Sequence, residues 1–214
     1  VPMLSLANAF SKDDLLNFEK KIFNFLSQTN NSNISYTAEP KIDGISASIT
    51  YKNGNFERGL SRGDGREGED ITVNLATIKD IPKKISDKDF PKDIDIRGEV
   101  FIKKSQFNNL KNNFANPRNA ASGSLRQKNP EVTKKIPLNF VAYTFGYFES
   151  DKIKKQSDFL KSLQKWGFKI SEHNKVLKNI NELGNFHKKF EEDRFNLEYD
   201  VDGLVYKINN LELQ

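Results

Sequence analysis

Asn53-Gly54 stands between two runs, Ile45 to Tyr51 and Phe56 to Arg62, and restricts the fold more than any other stretch. A two-residue hairpin turn needs positive φ, which Asn-Gly tolerates and most side chains resist. The chain therefore contains a tight antiparallel hairpin. Ile94 to Lys103 adds a strand, with Ile94, Ile96, Val100 and Ile102 on one face and Asp95, Arg97, Glu99 and Phe101 on the other. Leu138 to Phe148 reads as an apolar, aromatic strand, and another lies near Phe168 to Val176. Asp200 to Gly203 is a turn entering a buried strand that carries Lys207.

Helical spacing appears between these strands. Ser11 opens a helix with Asp14 at the capping-box position, and Leu15, Phe18, Ile22, Phe25 and Leu26 form its apolar face. Asp70 can cap a helix through Ile78, and short helices read at Ser105 to Leu110, Ser157 to Trp166 and Ile180 to Glu192. The fold class is α+β: two mainly antiparallel sheets with flanking helices.

With 214 residues the chain suits one large domain or two small ones, and 17 phenylalanines supply much of the core volume. No apolar run is long enough to span a bilayer, so a cytoplasmic protein with no membrane partner is expected. Cysteine is absent, which excludes disulfides and thiolate zinc sites within this piece. A formal charge of +5, with paired lysines such as Lys83-Lys84 and Lys188-Lys189, suits a polyanionic partner. Solvated faces are the alternative for any single pair. Starting at Val1 and stopping in polar sequence, the chain reads as part of something longer.

Glu39-Pro40-Lys41-Ile42-Asp43-Gly44 carries the chemistry. In an extended segment Glu39, Lys41 and Asp43 share a face while Ile42 points into the core. Gly44 allows a turn or a close approach. Pro40 lacks a backbone donor, which sets it at a strand edge or in a loop. A lysine held this way acts as a nucleophile when part of it is neutral, and desolvation or neighbouring cations favour that form. A surface Lys-Asp pair beside a turn is the alternative.

Other candidates are scattered along the chain. Gly63-Asp64-Gly65 is a bend that brings Arg62 near the Lys41 turn, and no Gly-Lys-Ser or Gly-Lys-Thr completes a Walker loop. Gly98 inside a strand marks a close backbone or ligand approach and makes Glu99 a site candidate, with a surface pair to Arg97 as the alternative. Arg118 and Arg126 flank a run of small residues and could hold phosphates or form ion pairs. Tyr143 stacks on a base or fills core, and Lys207 meets a ligand charge or reaches solvent. His173 and His187 have no partner at metal-ligand spacing.

Taken together, these blocks resemble the adenylation domain of the bacterial NAD-dependent DNA ligases, from Val1 to about Asn209. Lys41-Ile42-Asp43-Gly44 matches the signature of covalent nucleotidyltransferases generally. Ser61-Arg62-Gly63-Asp64-Gly65 with Gly68-Glu69-Asp70-Ile71-Thr72, Arg97-Gly98-Glu99-Val100-Phe101, and Asn116-Pro117-Arg118-Asn119-Ala120-Ala121 with Leu125-Arg126-Gln127 look like the NAD-using branch. Asp202-Gly203 followed by Lys207 resembles the motif that delivers a second lysine.

The resemblance implies a covalent nucleotidyltransferase (ATP-grasp-like) fold with the nucleotide between its sheets. It implies that Lys41 attacks the α-phosphorus of NAD and carries AMP, which passes to the 5′-phosphate of nicked double-stranded DNA before the 3′-hydroxyl seals the nick in replication and repair. Lys207 and Mg²⁺ would favour the neutral amine and offset phosphate charge. Glu39 would contact adenine and Tyr143 stack on it. Glu99 would bind ribose or orient the lysine, Arg62 would engage the nucleotide and then the nick, and Asp43 would support the nucleophile. Ser5 and Leu6 match the lead-in to the nucleotide site. No residue here is assigned as a metal ligand, and Zn²⁺ belongs to a module outside this stretch.

On this reading residues 1–214 are one truncated adenylation domain of a monomeric ligase. They lack the upstream nicotinamide-binding domain, a further downstream lysine motif, and the OB-fold, zinc, helix-hairpin-helix and terminal domains. Alone they would react poorly with NAD and not seal nicks. Two other readings compete: an ATP- or GTP-using nucleotidyltransferase of the RNA-ligase or capping type, and a basic nucleic-acid-binding module without catalysis. The Arg62 to Thr72 and Asn116 to Gln127 blocks favour NAD, and the joint presence of Lys41, Glu99 and Lys207 argues against an inactive module.

Overall fold

A computed structural model describes residues 2–3, 6–26, 34–110, 113–148 and 152–214. The chain runs α1 (Lys12–Phe25), β1 (Tyr36–Ile42), β2 (Ile45–Lys52), β3 (Asn55–Ser61), α2 (Thr72–Leu75), β4 (Asp93–Phe101), α3 (Lys104–Phe107) and α4 (Pro117–Leu125). It continues through α5 (Pro130–Lys134), β5 (Asn139–Phe148), α6 (Gln156–Lys165), β6 (Lys175–Leu177), α7 (Ile180–Asp193) and β7 (Val201–Ile208). The strands form two antiparallel sheets, ordered β6-β1-β7 and β3-β2-β4-β5. The expected α+β class is therefore the observed one.

Asn53 and Gly54 both take positive φ, 48° and 75°, and close the β2–β3 hairpin. Alternation then assigns the faces. Ala47, Ile49, Tyr51, Ile94, Ile96, Val100, Phe140 and Ala142 are buried in the main core, which α4 and α6 cover with Ala120, Ala121, Phe159 and Leu163. Small residues on α4 let its backbone lie close to the sheet. Gly98 answers a close approach within the protein rather than to a ligand, since a Cβ there would overlap the Phe140 ring and the Val141 carbonyl. A second core packs α1 and α7 on the other sheet through Ile22, Phe23, Tyr36, Ala38, Leu177 and Leu183.

The capping box forms as expected: Asp14 N–H donates to Ser11 Oγ at 3.1 Å, and Ser11 N–H donates to Asp14 Oδ2 at 3.0 Å. Phe25 departs from the expected face and is 88% exposed. The packed stripe is centred on Ile22 and Leu26 and reaches round to Phe23, which turns Phe25 to its edge. The helix expected from Asp70 to Ile78 shrinks to α2. The Asp70 carboxylate accepts from Thr72 N–H, while its backbone bridges to Leu60 and so remains tied to the hairpin. The strand expected near Phe168 to Val176 is reduced to β6, because Lys169 C=O is used by Ala142 N–H and Phe168 is drawn into the main core.

Pro40 lies inside β1 opposite Leu204 rather than in a loop. Pairing with β6 covers only Tyr36 to Ala38, so one flank of the strand has no strand neighbour at the proline. Two residues, Asp43 and Gly44, carry the chain from β1 in one sheet to β2 in the other. The crossing is tight: Asp43 N–H donates to Asp200 C=O at 2.8 Å, and a Cβ on Gly44 would overlap the Val100 carbonyl.

Candidate active site

Lys41 sits at this crossing, one residue before the end of β1. Its side chain is 46% exposed, and Nζ donates to Asp202 Oδ2 at 2.7 Å. The register explains how that carboxylate arrives. Lys41 faces Gly203 and Ile42 faces Val201, so Asp202 is the extra residue of a β-bulge. In unbroken pairing Asp202 would oppose Ile42 and point towards the core, whereas a bulge re-aims the side chain it inserts. Gly203 has φ 143°, which side-chain-bearing residues rarely adopt, and a Cβ there would meet nothing within 4 Å. The amine therefore has a carboxylate partner, and the residue opposite Lys41 carries no side chain to crowd it.

Two further carboxylates stand near it. Asp43 pairs with the Arg118 guanidinium. Arg118 comes from the first turn of α4, where Asn116 caps by accepting from Asn119 N–H at 2.7 Å and Pro117 occupies N1, so the Asn-Pro-Arg run aims the arginine at the crossing. Glu99 is buried and accepts from Ser46 Oγ at 2.9 Å, not from Arg97. Burial pushes its carboxyl up to about 7, against the Ser46 hydrogen bond and the charges of Arg118 and Lys41.

That displacement has a definite sign. Across the window from about 4.5 to about 7 the folded chain holds a proton on Glu99 that the unfolded chain has released. Stability from this group is greatest below the window and falls as pH rises through it, by roughly 3 kcal/mol in total. Glu99→Gln removes the fall, so the variant should match wild type near pH 4.5 and exceed it above pH 7. Urea midpoints measured across pH check this, and parallel curves for the two proteins would contradict it.

The remaining expected residues form a second cluster. Glu39 is 3% exposed and accepts on Oε1 from Thr37 Oγ1 at 3.0 Å and on Oε2 from Lys207 Nζ at 2.7 Å. Lys207 Nζ also donates to Tyr143 C=O at 2.9 Å and lies 5.4 Å from the Tyr143 ring centroid. Lys207 is therefore bound to Glu39 and not drawn up beside Lys41, because on β7 it lies opposite Thr37, two residues along β1 from Glu39 and four from Lys41. Tyr143 is also a bulge residue, since Gly98 faces Ala142 and Arg97 faces Thr144. Burial pushes its phenol up to about 12.

Arg62 lines a cleft of about 220 Å³ together with Gly44, Ser46, Arg118 and Arg126. Its Nε donates to Met3 C=O at 3.2 Å, and Met3 N–H donates to Gly65 C=O at 2.7 Å, so the lead-in is fastened to the 62–65 turn. Leu6 is exposed, and Ser5 lies outside the described residues. Arg126 pairs with Glu69 at 3.0 Å. His187 Nδ1 lies 3.3 Å from the Tyr206 hydroxyl. No helix among the described residues is long and apolar enough to cross a membrane.

The profile of the NAD-dependent DNA ligase adenylation domain matches residues 1–214. The chain belongs to this family. Relatives of the adenylation domain include a DNA ligase of Pelagibacter ubique, 59% identical over 214 residues that cover 100% of this chain and 32% of that protein. DNA ligases of Hahella chejuensis and Clostridioides difficile are 40% and 43% identical over 222 and 219 residues, which cover 100% and 99% of this chain and 32% of each relative. The domain thus spans about a third of the length of the curated relatives it matches. Membership implies use of NAD.

Asp202 and Gln156 are the site residues that local reading left without a role. Asp202 had a weak signal in the Asp-Gly doublet at the start of β7. Gln156, the first residue of α6, had none, yet it is wholly buried against Glu39 and Tyr143. Mg²⁺ suits the adenylation domain only as a guest of its substrate. Among the described residues no three carboxylates or histidines are arranged so that they could hold a metal ion, and Asp43, Asp202 and Glu99 each have a partner already. A magnesium ion commonly takes one or two carboxylates and fills its shell with phosphate and water.

Proposed function

We propose that this domain forms the adenylate of an NAD-dependent DNA ligase, with Lys41 as the nucleophile that carries AMP. The observation that supports this most is the half-exposed Lys41 amine held 2.7 Å from Asp202 at the crossing between the sheets, with only Gly203 opposite it. Lys41 Nζ attacks the α-phosphorus of NAD. The N–P bond forms as the pyrophosphate P–O bond breaks, nicotinamide mononucleotide leaves with that electron pair, and the amine proton passes to Asp202. A neutral amine is the reacting form, and a covalent step stores the adenylate for later transfer.

Phosphate charge meets the basic cleft of Arg62 and Arg118, with Arg126 at its rim. Adenine lies at Glu39, a buried acceptor, against the Tyr143 ring. Lys207 has used two of its three donor hydrogens, and the third is free for a phosphate oxygen. Asp43 holds Arg118, and Glu99 lies beside Ser46 on the ribose side. Leu6 belongs to the lead-in that Met3 fastens to the 62–65 turn beside this cleft. Mg²⁺, held by substrate phosphate and one of these carboxylates, would offset the charge that builds on phosphate.

AMP then passes to the 5′-phosphate at a nick in double-stranded DNA, which restores the Lys41 amine, and the 3′-hydroxyl displaces AMP to seal the strand. Residues 1–214 are one domain of a cytoplasmic, monomeric replication and repair enzyme. Other domains of such a ligase grip the nicotinamide half and bind zinc. Intact-mass measurement of a ligase polypeptide containing this domain, incubated with magnesium and either NAD or ATP, tests the donor. One AMP per chain from NAD and none from ATP is expected. Adduct from ATP alone would overturn the choice of NAD.

A further inference from the structure

Two donors bridge the same two acceptors between the two sheets. Lys207 Nζ reaches Glu39 Oε2 at 2.7 Å and Tyr143 C=O at 2.9 Å, while Gln156 Nε2 reaches Glu39 Oε1 at 2.9 Å and Tyr143 C=O at 2.8 Å. The four groups close a ring. It joins β1 and β7 of one sheet to β5 of the other, with α6 contributing the glutamine. The ring's two bridges differ in duty. Lys207 is charged, retains a free donor hydrogen and is drawn to phosphate when the nucleotide binds. Gln156 is neutral, is 0% exposed and has nowhere else to send its two amide hydrogens.

A stabilising role alone does not account for Gln156. Its Oε1 is buried and has no hydrogen-bond partner among the described residues. Such an orphan acceptor costs about 1–3 kcal/mol, which an apolar side chain of the same length would avoid. What the amide does supply is orientation. It donates to Glu39 without adding charge, fixes the plane of the carboxyl group, and ties that plane to the backbone that carries the Tyr143 ring.

We propose that Gln156 is a positioning residue for base selection: it holds the Glu39 carboxylate and the Tyr143 backbone in register, so that a 6-amino purine is accepted and a 6-oxo purine is rejected. This rests on the assignment of adenine to Glu39. An exocyclic amine donates to the carboxylate, whereas a 6-carbonyl sets oxygen against oxygen and leaves a buried anion facing an acceptor. A site built to bond one such group discriminates more sharply than an apolar pocket of the same shape.

The test uses the complete ligase and two probes, NAD and its deaminated analogue nicotinamide hypoxanthine dinucleotide, with adenylate formation followed at each. Gln156→Met keeps the length of the side chain and removes both hydrogen bonds. The preference for NAD should fall ~10-fold, with the loss on KM rather than kcat, as suits the loss of about one net hydrogen bond. Gln156→Glu, which can donate one hydrogen bond when protonated, should fall between Met and wild type, and it decides the matter should the Met variant not fold. An unchanged preference in these variants overturns the proposal. Glu39→Gln separates the two layers. A preference it leaves intact removes the base contact at Glu39 and this proposal with it. A preference that falls with Glu39→Gln but not with Gln156→Met or Gln156→Glu removes the role of Gln156 alone.

Discussion

Lys41→Ala in the complete ligase should abolish the AMP adduct, with a loss of ~10⁴-fold or more in adenylate formation, while the fold survives. The amine is half exposed and its recorded ion-pair partner, Asp202, is 47% exposed, so truncation returns one carboxylate to water. Pairs of that kind contribute about 0–1 kcal/mol. The unfolding midpoint should therefore hardly move. Lys41→Arg retains the positive charge beside Asp202 but not a nucleophilic amine, and it should be equally inactive. Adduct formation by either variant near the wild-type rate, measured by intact mass, would remove Lys41 from the chemistry.

The second large effect concerns stability as well as activity. Glu39 and Lys207 form a pair whose side chains are only 5% and 17% exposed. Breaking a buried pair from one side strands the other charge. Glu39→Leu leaves the Lys207 ammonium without its counter-charge, leaves Lys207 and Gln156 only the Tyr143 carbonyl to share, and takes the acceptor from the Thr37 hydroxyl; it should destabilise the domain by about 3 kcal/mol or more. Lys207→Met should cost less, because Thr37 and Gln156 still donate to Glu39. The double variant should recover part of the loss, giving a coupling energy on the order of 2 kcal/mol in urea denaturation. Additive losses would show that the two charges do not depend on each other. Each variant should also lose adenylation, since each removes a group from the nucleotide site.

The parts of this domain that a reader can recover from its sequence are those fixed by neighbours. Asn53-Gly54 sets its own hairpin, and Ser11 with Asp14 caps α1 from three residues away. Lys41 was legible because its chemistry and its glycine lie within one short segment. Asp202 and Tyr143 are different: each is the extra residue in a bulge, and a bulge is a property of how two strands meet. Lys41 and Asp202 are 161 residues apart, so no local pattern announces that the carboxylate turns towards the amine. Lys207 stands out in the sequence as a charge on an apolar strand, but its partner does not, because cross-strand register sets it beside Glu39 instead of Lys41. Gln156 left no trace, since a polar residue at a helix start is ordinary, Glu39 is 117 residues away, and its nearer acceptor is the backbone carbonyl of a bulge residue on β5. Phe25 shows the same limit in packing: the α1 stripe was visible, and the direction in which α7 and the sheet would cover it was not.

One amine, on the strand end where the two sheets exchange the chain, takes the nucleotide. Labelling the adenylate moiety of NAD, trapping it on the complete ligase, and reading the modified residue by peptide fragmentation tests this directly. A single acid-labile AMP on Lys41 is expected. Label found on Lys207, or on any other side chain, would contradict it.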